Sequence, residues 1–179
     1  EIEGKLRMVC HPADLDLPAQ ERDALSRLAE RVLAAHPLNG GQVQAVFTSD
    51  EHMAAMNERY RGKATTTDVL SFDYGEPPSA DMDELRDQWT RGEIFISVER
   101  AAEQARDRGI ARNAEIARLL VHGLLHLSGY DHDTTEELKE MESLTDSFLV
   151  DCGFPVASDS PETSGFPETS GFPAPESEL

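Results

Sequence analysis

Three histidines within eleven residues, His122, His126 and His132, constrain this chain more than any other feature of its sequence. Positions four apart lie on one face of an α-helix, with Cβ atoms about 5–6 Å apart, so the first two predict a helix that presents paired imidazoles. Gly129 can adopt the left-handed conformation that ends a helix, and a chain that reverses there can return His132 to the same point. The spacing therefore predicts a helix, a break and a loop that share one metal ion.

The chemistry of this motif favours a catalytic site over a structural one. Three nitrogen ligands with a fourth position left to solvent are typical of catalytic zinc, and we expect one Zn²⁺ per chain. The spacing is that of metzincin proteases, but those enzymes carry a glutamate general base directly after the first histidine, where this chain has Gly123. Because positioned acid–base groups contribute about 10²–10⁴-fold to a rate, the glycine argues against a peptidase. Cys152 stays open as a fourth ligand of a structural site. The other histidines are interpreted as surface or packing residues: His11, His36 and His52.

Apolar periodicities predict an α+β fold in one domain over residues 1–154, with a small mixed β-sheet against several helices, one of them zincin-like and metal-binding. Strands are expected at Lys5–Cys10, at a half-buried segment around Val43–Phe47, at Val69–Phe72 and at Ile94–Val98. Helices are expected from Pro18 to His36, from Ser49 or Asp50 to about Arg59, and at Glu99–Arg108, Arg112–Leu127 and Thr134–Val150. Asp73–Arg91 is expected to be a long acidic loop. Asp133 is the favoured cap of the last helix, with Glu136 completing a capping box.

Residues 155–179 are expected to form a disordered tail, because Pro, Gly and Ser dominate and no apolar period is present. Glu162-Thr-Ser-Gly-Phe-Pro167 is repeated at residues 168–173. A solvated, non-catalytic appendage is the favoured interpretation, and a short-motif ligand built on the Phe-Pro copies is the alternative.

The charge and hydropathy of the chain narrow the possible functions. Acidic residues outnumber basic ones by 35 to 16, and only five of the acids lie in the tail. Such an acidic body disfavours long-range capture of nucleic acid. With no run near the ~18 apolar residues of a membrane span and no visible secretory signal, we expect a cytoplasmic protein without a membrane partner.

The segment His122-Gly-Leu-Leu-His-Leu-Ser-Gly-Tyr-Asp-His132 resembles the signature of the YbeY family of metal-dependent endoribonucleases. Tyr60-Arg-Gly-Lys63 with Thr67-Asp-Val-Leu-Ser-Phe72, and Gly92-Glu-Ile-Phe-Ile-Ser97, resemble two more of its segments. The resemblance implies zinc on the three histidines, a catalytic or phosphate-contacting arginine at Arg61, and cleavage of single-stranded RNA, with a role in 16S rRNA 3′-end maturation and ribosome quality control. It also implies contact with the small ribosomal subunit and no DNA substrate. The alternatives are a zinc hydrolase of another class, such as a metalloprotease, or a ribosome-associated factor with a structural metal.

Further site residues follow from their position near these motifs. Asp131 is a candidate for orienting a ligand imidazole or for acid–base catalysis, with a loop-capping role as the alternative. Ten of the sixteen basic residues lie between Arg59 and Arg118. They predict a local positive groove in which Arg59 and Lys63 contact RNA, unless the Arg100–Arg118 set only decorates exposed helix faces. Tyr60, Phe72 and Tyr130 are the aromatic residues near the motifs, and they show no pattern typical of RNA stacking.

Overall fold

A computed structural model describes residues 5–38, 40–62, 67–77, 86 and 88–156, with the side chains of residues 5 and 61 outside that description. Lys63 and all but the first two residues of the expected tail also lie outside the described residues. The elements in chain order are β1 (Lys5–His11), α1 (Ala19–Ala35), β2 (Gln42–Thr48), α2 (Asp50–Arg61), β3 (Val69–Asp73), β4 (Thr90–Ser97), α3 (Val98–Arg108), α4 (Arg112–Leu127) and α5 (Thr135–Asp151). This confirms the predicted α+β class and every predicted helix and strand, to within a few residues at their ends.

The four strands form one mixed sheet in the order β1-β2-β4-β3. The first three in that order run parallel, and β3 pairs antiparallel with β4 at the edge. Strand β4 begins at Thr90, earlier than predicted, so Thr90 and Arg91 do not belong to the acidic loop. They extend the strand because Thr90 pairs with Gln42 of β2, a contact between distant segments that local sequence does not reveal.

Each face of the sheet carries its own apolar cluster. On one face, Val43, Ala45 and Phe47 of β2 join the main core with apolar residues of α1, α4 and α5. On the other face, Val46 joins a smaller cluster with Met53 of α2 and with residues of β3 and β4. The prediction of a half-buried β2 is therefore wrong at Val46, because α2 covers the face that was expected to meet solvent.

Helix α4 runs through the centre of the main core. Every residue from Ala114 to Leu127 is buried, so this helix is held on all sides and its end is fixed relative to the sheet. Among the described residues, no helix is long and apolar enough to cross a membrane.

Candidate metal centre

The C-terminal end of α4 breaks where the glycine predicted it. The backbone N–H of Gly129 donates to the carbonyl oxygen of His126 at 3.0 Å, and that of Tyr130 donates to Leu125 at 3.0 Å. Gly129 itself has φ +101°, which a residue with a side chain rarely adopts. The chain therefore leaves the helix at a fixed angle and turns back past its last turn.

The break brings the three histidines together. The nearest ligand nitrogens of His122, His126 and His132, hereafter the histidine triad, all lie within 4.8 Å of one another. The Nε2 atoms of His122 and His126 are 2.9 Å apart. The ring centroids of the three pairs are separated by 4.5, 5.0 and 5.5 Å. Sequence spacing alone predicted this convergence of two helical side chains and one loop side chain.

Burial lowers the pKa of two histidines of the triad, His122 and His126, which favours the neutral form that binds a metal. It lowers the pKa of His122 well below the ordinary value of 6.5, and the neighbouring His126 and His132 lower it further. Burial and then His132 lower the pKa of His126 to about 4. Both imidazoles are therefore neutral at pH 7 and can offer a lone pair to a cation.

The residues fit a catalytic rather than a structural metal. Nε2 of His132 is buried and has no hydrogen-bond partner among the described residues, as expected of an atom whose partner is an ion. Within the same residues, no cysteine or carboxylate joins the triad. Cys152, which the sequence left open as a fourth ligand, caps the far end of α5 instead. Three imidazole nitrogens and an open fourth position suit zinc in an active site.

Gly123, where a metzincin would carry its glutamate, is pressed against the sheet. A Cβ at this position would lie 2.8 Å from Cγ2 of Ile94 and 3.1 Å from Oγ of Ser71. The side that the general base of a protease would need is thus filled by β3 and β4. Gly92 of β4 is packed just as closely against α4, one turn further along that helix. A Cβ on Gly92 would lie 2.8 Å from the side chain of Leu127.

The loop that carries His132 is held by two sets of backbone contacts. The N–H of His132 donates to Oδ1 of Asp131 at 2.8 Å. The cap of α5 is Thr134, which forms a capping box with Glu137, so the predicted Asp133–Glu136 pair is wrong by one residue. Asp131 is exposed and caps no helix, and its carboxylate fixes the backbone of the ligand beside it.

The chain can now be compared with known proteins. The family model described as Endoribonuclease YbeY matches residues 14–153, which include the whole triad. The chain belongs to the YbeY family. A relative named Endoribonuclease YbeY in Brevibacillus brevis is 41% identical over 120 residues, which cover 63% of this chain and 76% of the relative. A second, in Geobacillus thermodenitrificans, is 35% identical over 141 residues, covering 77% and 90%. The solution structure of TM1509 from Thermotoga maritima covers 88% of this chain and 98% of its own at 20% identity and a TM-score of 0.57, which shows a shared fold.

Membership of the YbeY family confirms the resemblance found in the motifs.

The structure describes some of the remaining candidate residues and not others. Arg59 is exposed in the last turns of α2. Arg61 ends that helix, but its side chain lies outside the described residues, as does the whole of Lys63. Two of the arginines expected near the groove contact carboxylates instead: Arg112 lies 3.3 Å from Glu21 and Arg118 lies 2.5 Å from Glu115. Arg118 is buried, so it fits neither the expected groove nor the alternative of an exposed helix face.

Proposed function

We propose that this chain is a zinc-dependent endoribonuclease that hydrolyses single-stranded RNA. The observation that carries the proposal is the histidine triad, with its nitrogens within 4.8 Å and its position at the fixed end of a buried helix. Family membership supports the substrate, since the matching family is described as an endoribonuclease. The role in 16S rRNA 3′-end maturation and ribosome quality control, with the small subunit as partner and the cytoplasm as location, is part of the same proposal.

The residues of this chain would divide the work as follows. His122, His126 and His132 would hold the ion through their imidazole nitrogens. When bound, zinc supplies a Lewis acid that polarises a phosphoryl oxygen and lowers the pKa of a coordinated water. Asp131 holds the loop through the N–H of His132 and keeps the third imidazole in place.

A cation is also needed for the charge that grows on the phosphoryl oxygens. We assign that role to Arg61, at the end of α2, because a guanidinium matches phosphate geometry with two parallel N–H donors. Arg59 and Lys63 would contact the neighbouring phosphates. These contacts are local, since the acidic body would repel RNA at long range.

The test is a cleavage assay of the full chain, loaded with zinc, on labelled single-stranded RNA, on duplex RNA and on peptides, over a range of salt concentrations. We expect cleavage of the single-stranded RNA alone, loss of zinc and cleavage in His132→Ala, and loss of cleavage with retained zinc in Arg61→Ala. His11→Ala is the matched control, since it removes an exposed histidine outside the triad. Peptide hydrolysis, or RNA cleavage that survives removal of the metal, would contradict the proposal.

A further inference from the structure

Three aromatic residues lie at the edge of the sheet, and two of them, Tyr60 and Phe72, are in ring contact. Tyr60 comes from the end of α2, Phe72 from β3, and Tyr74 follows directly after β3. The ring centroids of Tyr60 and Phe72 are 5.3 Å apart, and Phe72 packs edge-on against Phe95 at 5.7 Å. We call Tyr60, Phe72 and Tyr74 the aromatic platform.

The two outer rings of the platform are open to solvent. Tyr60 is 46% exposed and Tyr74 is 41% exposed, the two aromatic side chains among the exposed large apolar residues of the described chain. Every nucleobase presents a flat π-face that such rings can stack on, whatever the sequence.

The rings are held in place without a ligand. The hydroxyl of Tyr74 donates to Oε1 of Glu93 at 2.8 Å, and its backbone N–H donates to the carbonyl of Arg91 at 2.9 Å. Burial, then the bond to Glu93, and finally the nearby Tyr60 raise the pKa of Tyr74, so its hydroxyl stays a donor at neutral pH. A ring that is already ordered loses little conformational entropy when a base stacks on it.

A positive charge lies at the rim of the platform. The guanidinium carbon of Arg59 is 5.4 Å from the ring centroid of Tyr60, within the range of a cation–π contact. On a chain with a formal charge of −19, a cation beside an open aromatic ring favours an occupant that combines a flat base with a phosphate. An apolar peptide would make no use of this cation, and a second copy of the chain would carry the same large negative charge and be repelled.

The platform and the histidine triad lie at the same edge of the sheet but on opposite faces, since Phe72 packs with the α2 cluster and Ser71 faces α4. Phe72 directly follows Ser71, whose Oγ lies 3.1 Å from the position that a Cβ on Gly123 would take. Gly123 directly follows His122. Gly92, which precedes Glu93, packs on Leu127, and Leu127 directly follows His126. Because β3 is the edge strand of the sheet in the described chain, a nucleotide strand can pass around it from the triad to the platform.

We propose that Tyr60, with Tyr74 at the same edge of the sheet, stacks an unpaired nucleobase of the RNA strand that this chain binds. This inference rests on the proposed ribonuclease function and names residues that would make it selective for single strands, since a paired base cannot offer its face. Tyr60 is the main stacking residue, and Phe72 is a positioning residue that supports its ring.

The experiment measures binding separately from cleavage. A short single-stranded RNA that carries 2′-O-methyl groups resists cleavage, and its affinity for the zinc-loaded chain is measured by fluorescence anisotropy. Removing the ring in Tyr60→Ala is expected to weaken binding about 5- to 100-fold, the range seen when one stacked base loses its aromatic partner. Tyr60→Phe and Tyr60→Trp should bind within about threefold of the wild-type chain, because both keep a stacking face. Val150→Ala, at another exposed apolar residue, is the matched control.

A scan with abasic nucleotides identifies the stacked base. The wild-type chain should lose affinity at one abasic position, and Tyr60→Ala should be insensitive to that position, because the base and the ring act together. Tyr60→Leu keeps apolar contact with Phe72 without a π-face, so it serves if the alanine variant melts at a lower temperature. On cleavable RNA, the loss should fall on KM rather than on kcat.

The outcomes separate this inference from the proposed function. If wild-type protein binds and cleaves RNA but Tyr60→Ala and Tyr60→Leu bind equally well, the stacking role is overturned and the function stands. The role is also overturned if Tyr60→Phe loses as much as Tyr60→Ala, or if Tyr60→Ala changes the oligomeric state, which would mark the platform as a contact between copies. If RNA binds with the expected ring dependence but is not cleaved, the function fails alone. If wild-type protein binds no RNA, both fail.

Discussion

The guanidinium of Arg118 is bound by the carboxylate of Glu115, and Arg118 lies one turn before His122 on the same helix. The closest atoms of Arg118 and Glu115 are 2.5 Å apart, and two further contacts measure 3.1 and 3.2 Å. Glu115 has no exposed surface and Arg118 is only 7% exposed. A pair of charges this deeply buried is stable only while both members are present. Burial is the main cause of the low pKa of His122, and the charge of Arg118 adds to it, so Arg118 influences the histidine one turn further along the helix.

Removing one partner of this pair should destabilise the metal-free protein strongly. Arg118→Met leaves the carboxylate of Glu115 buried without its main counter-charge, which we expect to cost about 3–5 kcal/mol in the free energy of unfolding. Urea unfolding in the presence of a chelator measures this cost. The control is the double variant Glu115→Leu/Arg118→Met, which should be more stable than Arg118→Met alone. Glu115→Leu alone is measured as well. If the double variant loses as much stability as the two single variants lose together, the two charges do not act as a pair.

A side chain at Gly123 should disturb the packing of α4 against the sheet. The Cβ of Gly123→Ala would lie 2.8 Å from Ile94, and overpacking of a core costs about 1–3 kcal/mol. Alanine has a better helix propensity than glycine, which offsets up to about 1 kcal/mol of this cost. We therefore expect a net loss of stability. A double-mutant cycle with Ile94→Ala, which removes the obstructing atoms, should show the combined loss to be smaller than the sum. Additive losses, within about 0.5 kcal/mol, would contradict this packing.

The site was more predictable from the sequence than its surroundings, for physical reasons. The spacing of His122, His126 and Gly129 specifies a helix face and its end, because helical geometry is local. The cap of α5 was ambiguous, since Asp133 and Thr134 are both good cap residues and each has a glutamate three positions later. The burial of Val46 depends on α2 crossing the second face of the sheet.

Contacts between distant segments were beyond the reach of local patterns. The aromatic platform joins Tyr60 of α2 to Phe72 of β3, and no local pattern in the sequence pairs these two rings. The predicted basic groove failed at Arg112 for the same reason, because its carboxylate partner Glu21 is on α1, far away in the sequence. A one-dimensional cluster of charge does not show which of its members face acids.

The stability of the protein should depend on pH through Asp68. Its side chain is buried, and burial raises the pKa of the carboxyl above the ordinary 3.8, while the bond from Gln104 at 3.1 Å and the charge of Arg118 oppose the rise. The folded state therefore binds a proton more tightly than the unfolded state. The resulting stability is present in full below about pH 3.8 and is lost as the pH rises through the folded pKa.

Replacing the carboxyl with an amide should remove that dependence. Asp68→Asn can still accept from the N–H of Val69, and if the Gln104 amide turns over, the new amide can donate to its oxygen. We expect Asp68→Asn to gain stability relative to the wild-type chain as the pH rises from 4 to 7, measured by urea unfolding at each pH. Asp68→Ala is the control, which should lose about 1–3 kcal/mol because its partners remain unsatisfied. Equal slopes for the wild-type and Asn chains would exclude Asp68 as the source.

We predict that residues 156–179 contribute neither to folding nor to catalysis. The domain core closes at Phe154, which is buried in the main cluster, and the repeat that follows has no apolar period. A chain that ends at Pro155 should therefore melt within about 2 °C of the full chain, since surface changes rarely exceed about 0.5 kcal/mol. Its metal content and its rate on single-stranded RNA should be unchanged. A lower melting temperature would assign the tail a structural role.

The cap of α5 should be sensitive at Thr134 and insensitive at Asp133. The hydroxyl of Thr134 accepts from the N–H of Glu137 at 3.1 Å, and the carboxylate of Glu137 accepts from the N–H of Thr134 at 3.1 Å. Thr134→Ala removes the hydroxyl half of this box, while the backbone N–H that donates to Glu137 remains, and it should cost about 0.5–2 kcal/mol. It should also weaken zinc binding, because the box anchors the loop two residues after His132. Asp133→Ala is a matched control with a neighbouring exposed cap-type residue, and it should change neither unfolding nor zinc affinity. If Asp133→Ala lowered the free energy of unfolding more than Thr134→Ala, the helix cap would lie one residue earlier. The loop that carries His132 would then follow a different path.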